Sequence, residues 1–146
     1  MKMLKKIWVN NTEDKNKCFA IREAVFVKEQ GVPFEADFDG SDDNAQLLLI
    51  TDNDVPAATG RCMPYEDGYT IGRVAVLKHL RGRGLGGEVV NSLCDYIFEE
   101  LDVKRCYIHA QLQAKDFYLR LGFKPLGEVF SEAGIEHIAM VKEVLN

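Results

Sequence analysis

Apolar positions fall into seven short extended runs and three stretches at helical spacing. Residues 4–9, Leu-Lys-Lys-Ile-Trp-Val, read as a first strand. A helix then starts at Asn11 or Thr12, because Cys18, Ile21, Val25 and Phe26 recur at i, i+3, i+7 and i+8 on one face. From Gly31 to Asn44 the chain is acidic and interrupted by Gly and Pro, and it predicts a long loop without regular structure. Three strands follow, Ala45–Thr51, Val55–Met63 and Tyr69–Leu77. The turns between them, Asp52-Asn53-Asp54 and Glu66-Asp67-Gly68, are short enough to force antiparallel pairing.

A second helix is expected from about Gly82 to Leu101, with Val89, Val90, Leu93, Tyr96, Ile97 and Leu101 as its apolar face. Cys106–His109 reads as a strand, and Ala114–Leu121 as a shorter helix that Gly122 caps. Two last strands are expected at Phe123–Leu126 and Ile135–Val144. This order describes one mixed α/β (α+β) domain over residues 1–146, with no repeat and no linker. Its one strand–helix–strand crossover should make Tyr69–Leu77 and Arg105–His109 parallel neighbours.

Composition narrows the function. With 47% hydrophobic and 28% charged residues the chain reads as a soluble globular protein, and no apolar run approaches the ~18 residues of a membrane span. The basic, then apolar, first residues lack a cleavage pattern and read as a strand, not a targeting peptide. A net charge of −5 disfavours nucleic acid as a partner. Yet Arg73, Lys78, Arg81 and Arg83 cluster in this acidic chain, and they suit a compact anion. Cys18, Cys62, Cys94 and Cys106 have no metal-site spacing and are expected as free buried thiols of a cytoplasmic protein.

The basic cluster surrounds Arg81-Gly82-Arg83-Gly84-Leu85-Gly86-Gly87, which follows a strand and opens a helix. Unpaired amides at the positive end of a helix dipole form a seat for phosphate, and glycines let the oxygens reach them. Three nucleotide-type patterns compete. The ATPase phosphate loop fails because Glu88 stands where that motif needs Lys and no Ser or Thr follows. The dinucleotide fingerprint is spelled by Gly82 to Gly87, with Asp102 at a suitable distance. However, only about 60 residues remain for the βαβ units such a fold needs, and an antiparallel meander precedes it.

The third pattern fits both spelling and position. Arg81-Gly82-Arg83-Gly84-Leu85-Gly86 resembles the Arg/Gln-x-x-Gly-x-Gly/Ala acyl-CoA loop of the GNAT superfamily of N-acetyltransferases. Ile71–Val76 resembles that family's central strand, and Ala114–Phe123 its A-x-x-F-Y-x-x-x-G-F helix. Val27–Pro33, the acidic loop, and Glu132–His137 resemble the bacterial ElaA-like subgroup.

The resemblance implies a mostly antiparallel twisted sheet with one splayed parallel strand pair and about four flanking helices. It implies acetyl-CoA as co-substrate, a primary amine of a small molecule or peptide as acceptor, direct transfer and no metal. Backbone groups of Val74, Ala75 and Val76 would pair with the pantetheine arm. Amides of Arg81, Gly82, Arg83, Gly84, Leu85, Gly86 and Gly87 would hold the pyrophosphate, with Arg81 and Arg83 adding charge. Gln111 stands where relatives often carry a cofactor-contacting Asn. Tyr118 stands where the family often has the general acid that protonates the departing thiolate, although a tyrosine at this spacing can equally be packing. A homodimer is compatible with the resemblance, and so is a non-catalytic CoA-binding sensor module.

An alkyl amine with a pKa of about 10.4 must lose a proton before it attacks. Glu29, Glu35, His109 and His137 are the candidate bases, and the sequence does not choose among them. The acidic residues Glu35, Asp37, Asp39, Asp42 and Asp43 could draw in a cationic amine or form a solvated face. Arg22 and Arg73 could grip a substrate carboxylate or pair with those acids.

Overall fold

The computed structural model describes residues 3–144. Seven strands form one sheet in the order β1-β2-β3-β4-β5-β7-β6. They are β1 (Leu4–Trp8), β2 (Gln46–Asp52), β3 (Val55–Tyr65), β4 (Gly68–Val76), β5 (Arg105–Gln111), β6 (Lys124–Glu132) and β7 (Ile135–Glu143). Every pairing is antiparallel except β4 with β5. Four α-helices flank the sheet: α1 (Thr12–Arg22), α2 (Phe34–Asp37), α3 (Leu85–Asp95) and α4 (Lys115–Arg120).

Helix α1 starts where Asn11 caps it, its side chain accepting from the Asp14 amide at 2.8 Å. The helix does not stop at Arg22 but widens into π-helical turns over Glu23–Glu29, and α3 does the same over Tyr96–Glu100. The apolar Leu-Leu-Leu-Ile run of β2 is buried on both faces. Leu47 and Leu49 pack with Cys18, Ile21 and Val25 of the first helical stretch, while Leu48 and Ile50 join Val89, Val90, Leu93 and Ile97 on the other side. Each such side chain contributes roughly 1.5–3 kcal/mol on burial, so β2 anchors both layers. The four cysteines are free and buried. No helix among the described residues is long and apolar enough to cross a membrane.

Two local features set up the centre of the sheet. A Cβ on Gly60 would stand 2.5 Å from Val89 Cγ1, so glycine there lets α3 press directly onto β3. Opposite it, β4 bulges: register runs from Thr59↔Ala75 to Arg61↔Gly72, leaving two residues of β4 against one of β3. Arg73 lies in this bulge with φ of 50°. The parallel pairing of β4 and β5 spans only Tyr69↔Cys106, Thr70↔Tyr107 and Ile71↔Ile108. Beyond Ile71 the two strands separate, and the expected splayed pair is present.

Several expected boundaries shift. The second long helix begins at Leu85, not Gly82, because Gly82 and Gly84 adopt left-handed backbone with φ of 82° and 80°. Strand β6 continues past Leu126 to Glu132 through an irregularity near Gly127; it lies mostly exposed, so no apolar alternation announces its second half. The segment 31–44 is not an irregular loop. It holds α2 and a 3-10 turn at Ser41–Asn44, and it is tied down by buried charge.

Candidate active site

The charge that orders 31–44 comes from one helix and two strands, α1, β3 and β4, far apart in sequence. Arg22, 1% exposed, donates through Nε to Asp37 Oδ2 at 3.1 Å, through Nη1 to Asp42 Oδ1 at 2.7 Å and through Nη2 to the Asp37 carbonyl at 2.9 Å. Arg61 of β3 donates to the same Asp42 Oδ1 at 2.8 Å, and Arg73 pairs with Asp37 Oδ1 at 3.0 Å. The Arg22 guanidinium also lies over Phe19 and Phe38, 5.1 and 4.7 Å from the ring centroids. Burial raises the Asp42 carboxyl, but the bonds from Arg22 and Arg61 outweigh it and hold its pKa below the usual carboxylate range. Asp37 and Asp42 are therefore buried counter-ions, and Arg22 and Arg73 pair with acids of this chain.

The segment so anchored forms one wall of a cleft of about 490 Å³. The splayed ends of β4 and β5 form its floor, with Gly72, Arg73 and Val74 on one side and His109, Ala110 and Gln111 on the other. The β6–β7 hairpin brings Glu132 and His137 to the far wall, and α4 brings Tyr118. At the rim, Gln111 donates to Gln30 Oε1 at 2.8 Å, linking β5 to the end of the first helical stretch.

His109 and His137 meet on one carboxylate. Glu132 Oε1 is 3.3 Å from His109 Nδ1, and Glu132 Oε2 is 3.7 Å from His137 Nε2. His137 Nδ1 is 2.7 Å from the Ile135 carbonyl and so carries the proton on that side. His109 Nε2 lies 3.5 Å from the Tyr65 hydroxyl. Tyr118 is buried against Phe117 and Phe123, with ring centroids 4.9 and 5.7 Å away, and burial raises its phenol pKa above the ordinary value.

The glycine segment lies at the other end of β4. Gly84 is the N-cap of α3, and no side chain caps that helix. The first helical bond runs from Glu88 N to Gly84 O at 3.1 Å, so the amides of Leu85, Gly86 and Gly87 precede the ladder. A Cβ on Gly82, Gly84 or Gly87 would meet nothing within 4 Å, so a side chain at these positions would enter open space. Gly86 differs: a Cβ there would stand 3.3 Å from Phe117, the residue before Tyr118. The start of α3 thus touches α4 at Gly86 and Phe117, next to cleft-lining Tyr118. The amides at the start of α3 and the free edge of β4 suit a diphosphate joined to an extended arm.

The expected side chains divide between these two places. Arg81 does not point at the amides; it donates to Glu29 at 2.6 and 2.8 Å and to the Val76 carbonyl at 3.0 Å. Glu29 is held below the usual carboxylate range first by those bonds, and it does not line the cleft. Arg83 lies 3.8 Å from Asp52. Ala75 turns its side chain into the core beside Cys18 and Ile21, while Val74 and Val76 pack toward α3. Among the described residues no group of His, Cys, Asp and Glu is arranged to hold a metal ion. Two cleft residues, Arg61 and Tyr65, are not singled out by the sequence, and Glu132 enters there only as part of the segment Glu132–His137. A lone arginine inside the apolar run Ala57–Met63 was the available signal for the first.

This architecture, a parallel pair splayed beside an amide-lined helix start, is that of an acetyltransferase. The acetyltransferase (GNAT) domain model matches residues 11–144, and the chain belongs to that family. Within it, the chain stands in the ElaA-like subgroup. ElaA of Escherichia coli is 37% identical over 131 residues, spanning 86% of this chain and 84% of ElaA. The crystal structure of E. coli ElaA superposes with a TM-score of 0.84 at 30% identity, covering 98% and 100% of the two chains. The uncharacterized N-acetyltransferase YjcF of Bacillus subtilis is 34% identical over 142 residues, 96% of this chain and all of that one. An acyl-CoA N-acyltransferase from Pseudomonas aeruginosa gives a TM-score of 0.84 at 26% identity, covering 97% and 99%.

Proposed function

We propose that this acetyltransferase moves the acetyl group of acetyl-CoA directly onto a primary amine of a small molecule or peptide. The observation that carries the reading is the continuity of β4. Its splayed edge faces the cleft, and its end leads through the 3-10 turn at Lys78–Leu80 and the glycine segment to the first amides of α3. One extended donor can therefore span both, with the amides of Gly82 to Gly87 toward the diphosphate and the backbone at Val74 to Val76 toward the pantetheine arm. When bound, acetyl-CoA supplies an activated acyl carbon and a thiolate leaving group.

The chain's own residues handle the protons. Glu132 orients His109 so that Nδ1 carries the proton and Nε2 is left to accept one from the acceptor's ammonium, directly or through water, which frees the amine to attack. As the amine nitrogen bonds the acyl carbon and the carbon–sulfur bond breaks, Tyr118 donates its phenolic proton to the sulfur, and the second proton lost by the nitrogen passes to solvent, from which the phenolate is reprotonated. The phenol is protonated at neutral pH, and burial, which raises its pKa, holds it in that form while making it a weaker acid. Glu29, neutralised by Arg81 outside the cleft, serves to hold the strand-to-helix connection. Thiol release from acetyl-CoA across a panel of primary amines tests the reading. Turnover with at least one amine is expected; tight CoA binding with no turnover across the panel would mean that transfer is not this chain's reaction.

A further inference from the structure

The network that orders residues 31–44 leaves one cation incompletely paired at the cleft wall. Arg61 is 6% exposed, yet its one hydrogen bond goes to Asp42 Oδ1, an oxygen that Arg22 also uses. Its Nε is buried and has no partner among the described residues. A guanidinium has five donors, stays charged and matches a carboxylate in a two-point fork, so this is a strong group left under-used. Three guanidiniums, those of Arg22, Arg61 and Arg73, share the two buried carboxylates Asp37 and Asp42. The third acid, Asp39, is half exposed, takes bonds from Ser41 and lies 3.6 Å from Arg73 Nη2. Burial first, and then the nearby Arg73 charge, lower the pKa of Arg61.

The opposite end of the cleft has the other sign. Arg61, Met63 and Tyr65 alternate along one face of β3 and line the cleft, and the Tyr65 hydroxyl reaches His109, which Glu132 contacts. Arg61 and Tyr65 are four residues apart, roughly 13 Å along an extended strand, and their side chains shorten the gap. A cleft with cationic donors at one end and a carboxylate–histidine pair at the other fits a molecule carrying both an ammonium and an anion. We infer that the acceptor is an amino carboxylate, whose carboxylate is bound by Arg61 with Arg73 beside it. The three carboxylates Asp37, Asp42 and Asp39 already balance the three guanidiniums in charge, so what Arg61 offers is unused donors, which a planar carboxylate meets in a two-point fork.

This inference rests on the acetyl-transfer reading and deepens it. Calorimetric titration with N-acetylglycine, N-acetyl-β-alanine and N-acetyl-γ-aminobutyrate, each against its carboxamide and with CoA present, tests it by binding alone. At least one carboxylate should bind about tenfold or more tighter than its carboxamide, the size of a charge-assisted fork. Arg61→Met should erase that preference while CoA still raises Tm, and Arg61→Lys should restore part of it. Should Arg61→Met fail to fold, the wild-type comparison decides. Equal binding of acid and amide, or none of either, overturns the inference. Turnover of amines regardless of a carboxylate overturns it while leaving acetyl transfer intact, whereas selective binding without turnover keeps the subsite and removes the reaction.

Discussion

Gly87 offers a test in which ligand binding and protein stability move in opposite directions. It is the third residue of α3, lies outside the left-handed region and has nothing within 4 Å of an added Cβ. Replacing glycine by glutamate in a helix recovers most of glycine's ~1 kcal/mol penalty. A carboxylate in the first turn adds roughly 0.3–1 kcal/mol from the helix dipole. Gly87→Glu should therefore stabilise the ligand-free protein by about 1–1.5 kcal/mol, which for a chain of this size is a rise of roughly 2–5 °C in Tm. The same carboxylate occupies the space proposed for the diphosphate and repels it.

Thermal scans with and without CoA read both effects at once. At a CoA concentration 100 times Kd the wild type should gain about 2.7 kcal/mol from binding, and Gly87→Glu should lose most of that gain. Gly87→Ala is the control: it should raise Tm in the free protein and keep most of the CoA shift, because a methyl group adds no charge. Gly84→Trp is a weaker test, since φ of 80° at Gly84 strains any side chain there and mixes folding with binding. A Gly87→Glu protein that folds and shows the full CoA shift would refute the placement of the diphosphate at the start of α3.

Other variants separate the remaining roles. Tyr118→Phe should lower kcat with little change in KM, and undiminished kcat would dismiss the phenol as proton donor. Glu29→Gln, which unpairs Arg81 outside the cleft, should leave kcat within about twofold of wild type; a loss in the 10²-fold range of a missing general base would assign Glu29 that role instead. Asp42→Asn leaves Arg22 and Arg61 short of a buried counter-ion and should cost about 3–5 kcal/mol in denaturant unfolding. Because the folded-state pKa of Asp42 is lowered, its contribution is complete above the unfolded carboxyl's value of about 3.9 and fades as pH falls through the folded value. The acid limb of the stability profile should accordingly be shallower in Asp42→Asn, and an unchanged limb would place the acid-sensitive group elsewhere.

Those elements whose signal is local could be read from the sequence. The strand–helix order, the short turns and the glycine segment at a helix start each depend on residues within a few positions. The start of α3 slipped by three residues because Gly82 and Gly84 take left-handed backbone, a choice the helical periodicity beyond them does not reveal. The second half of β6 was missed because an exposed edge strand needs no alternation of apolar residues. The β4 bulge is equally hidden: it is defined by pairing with β3 at Gly60 and by the departure of β5, both long-range events.

The acidic segment at 31–44 shows why the site itself was less legible than the fold. Its composition is that of a solvated surface, and Asp39 and Asp43 keep that character. Asp37 and Asp42 differ only because Arg22, Arg61 and Arg73 arrive from α1, β3 and β4 to neutralise them. Removing two carboxylates from water is unfavourable unless several charged hydrogen bonds compensate, so α2 and the turn after it are ordered by partners at the sheet, not by local propensity. That arrangement also determines what the cleft can recognise. Had Asp42 paired with Arg22 alone, Arg61 would need a different partner or a hydrated site. By sharing one oxygen between two guanidiniums, the fold both closes the wall of the cleft and leaves Arg61 with donors to spare.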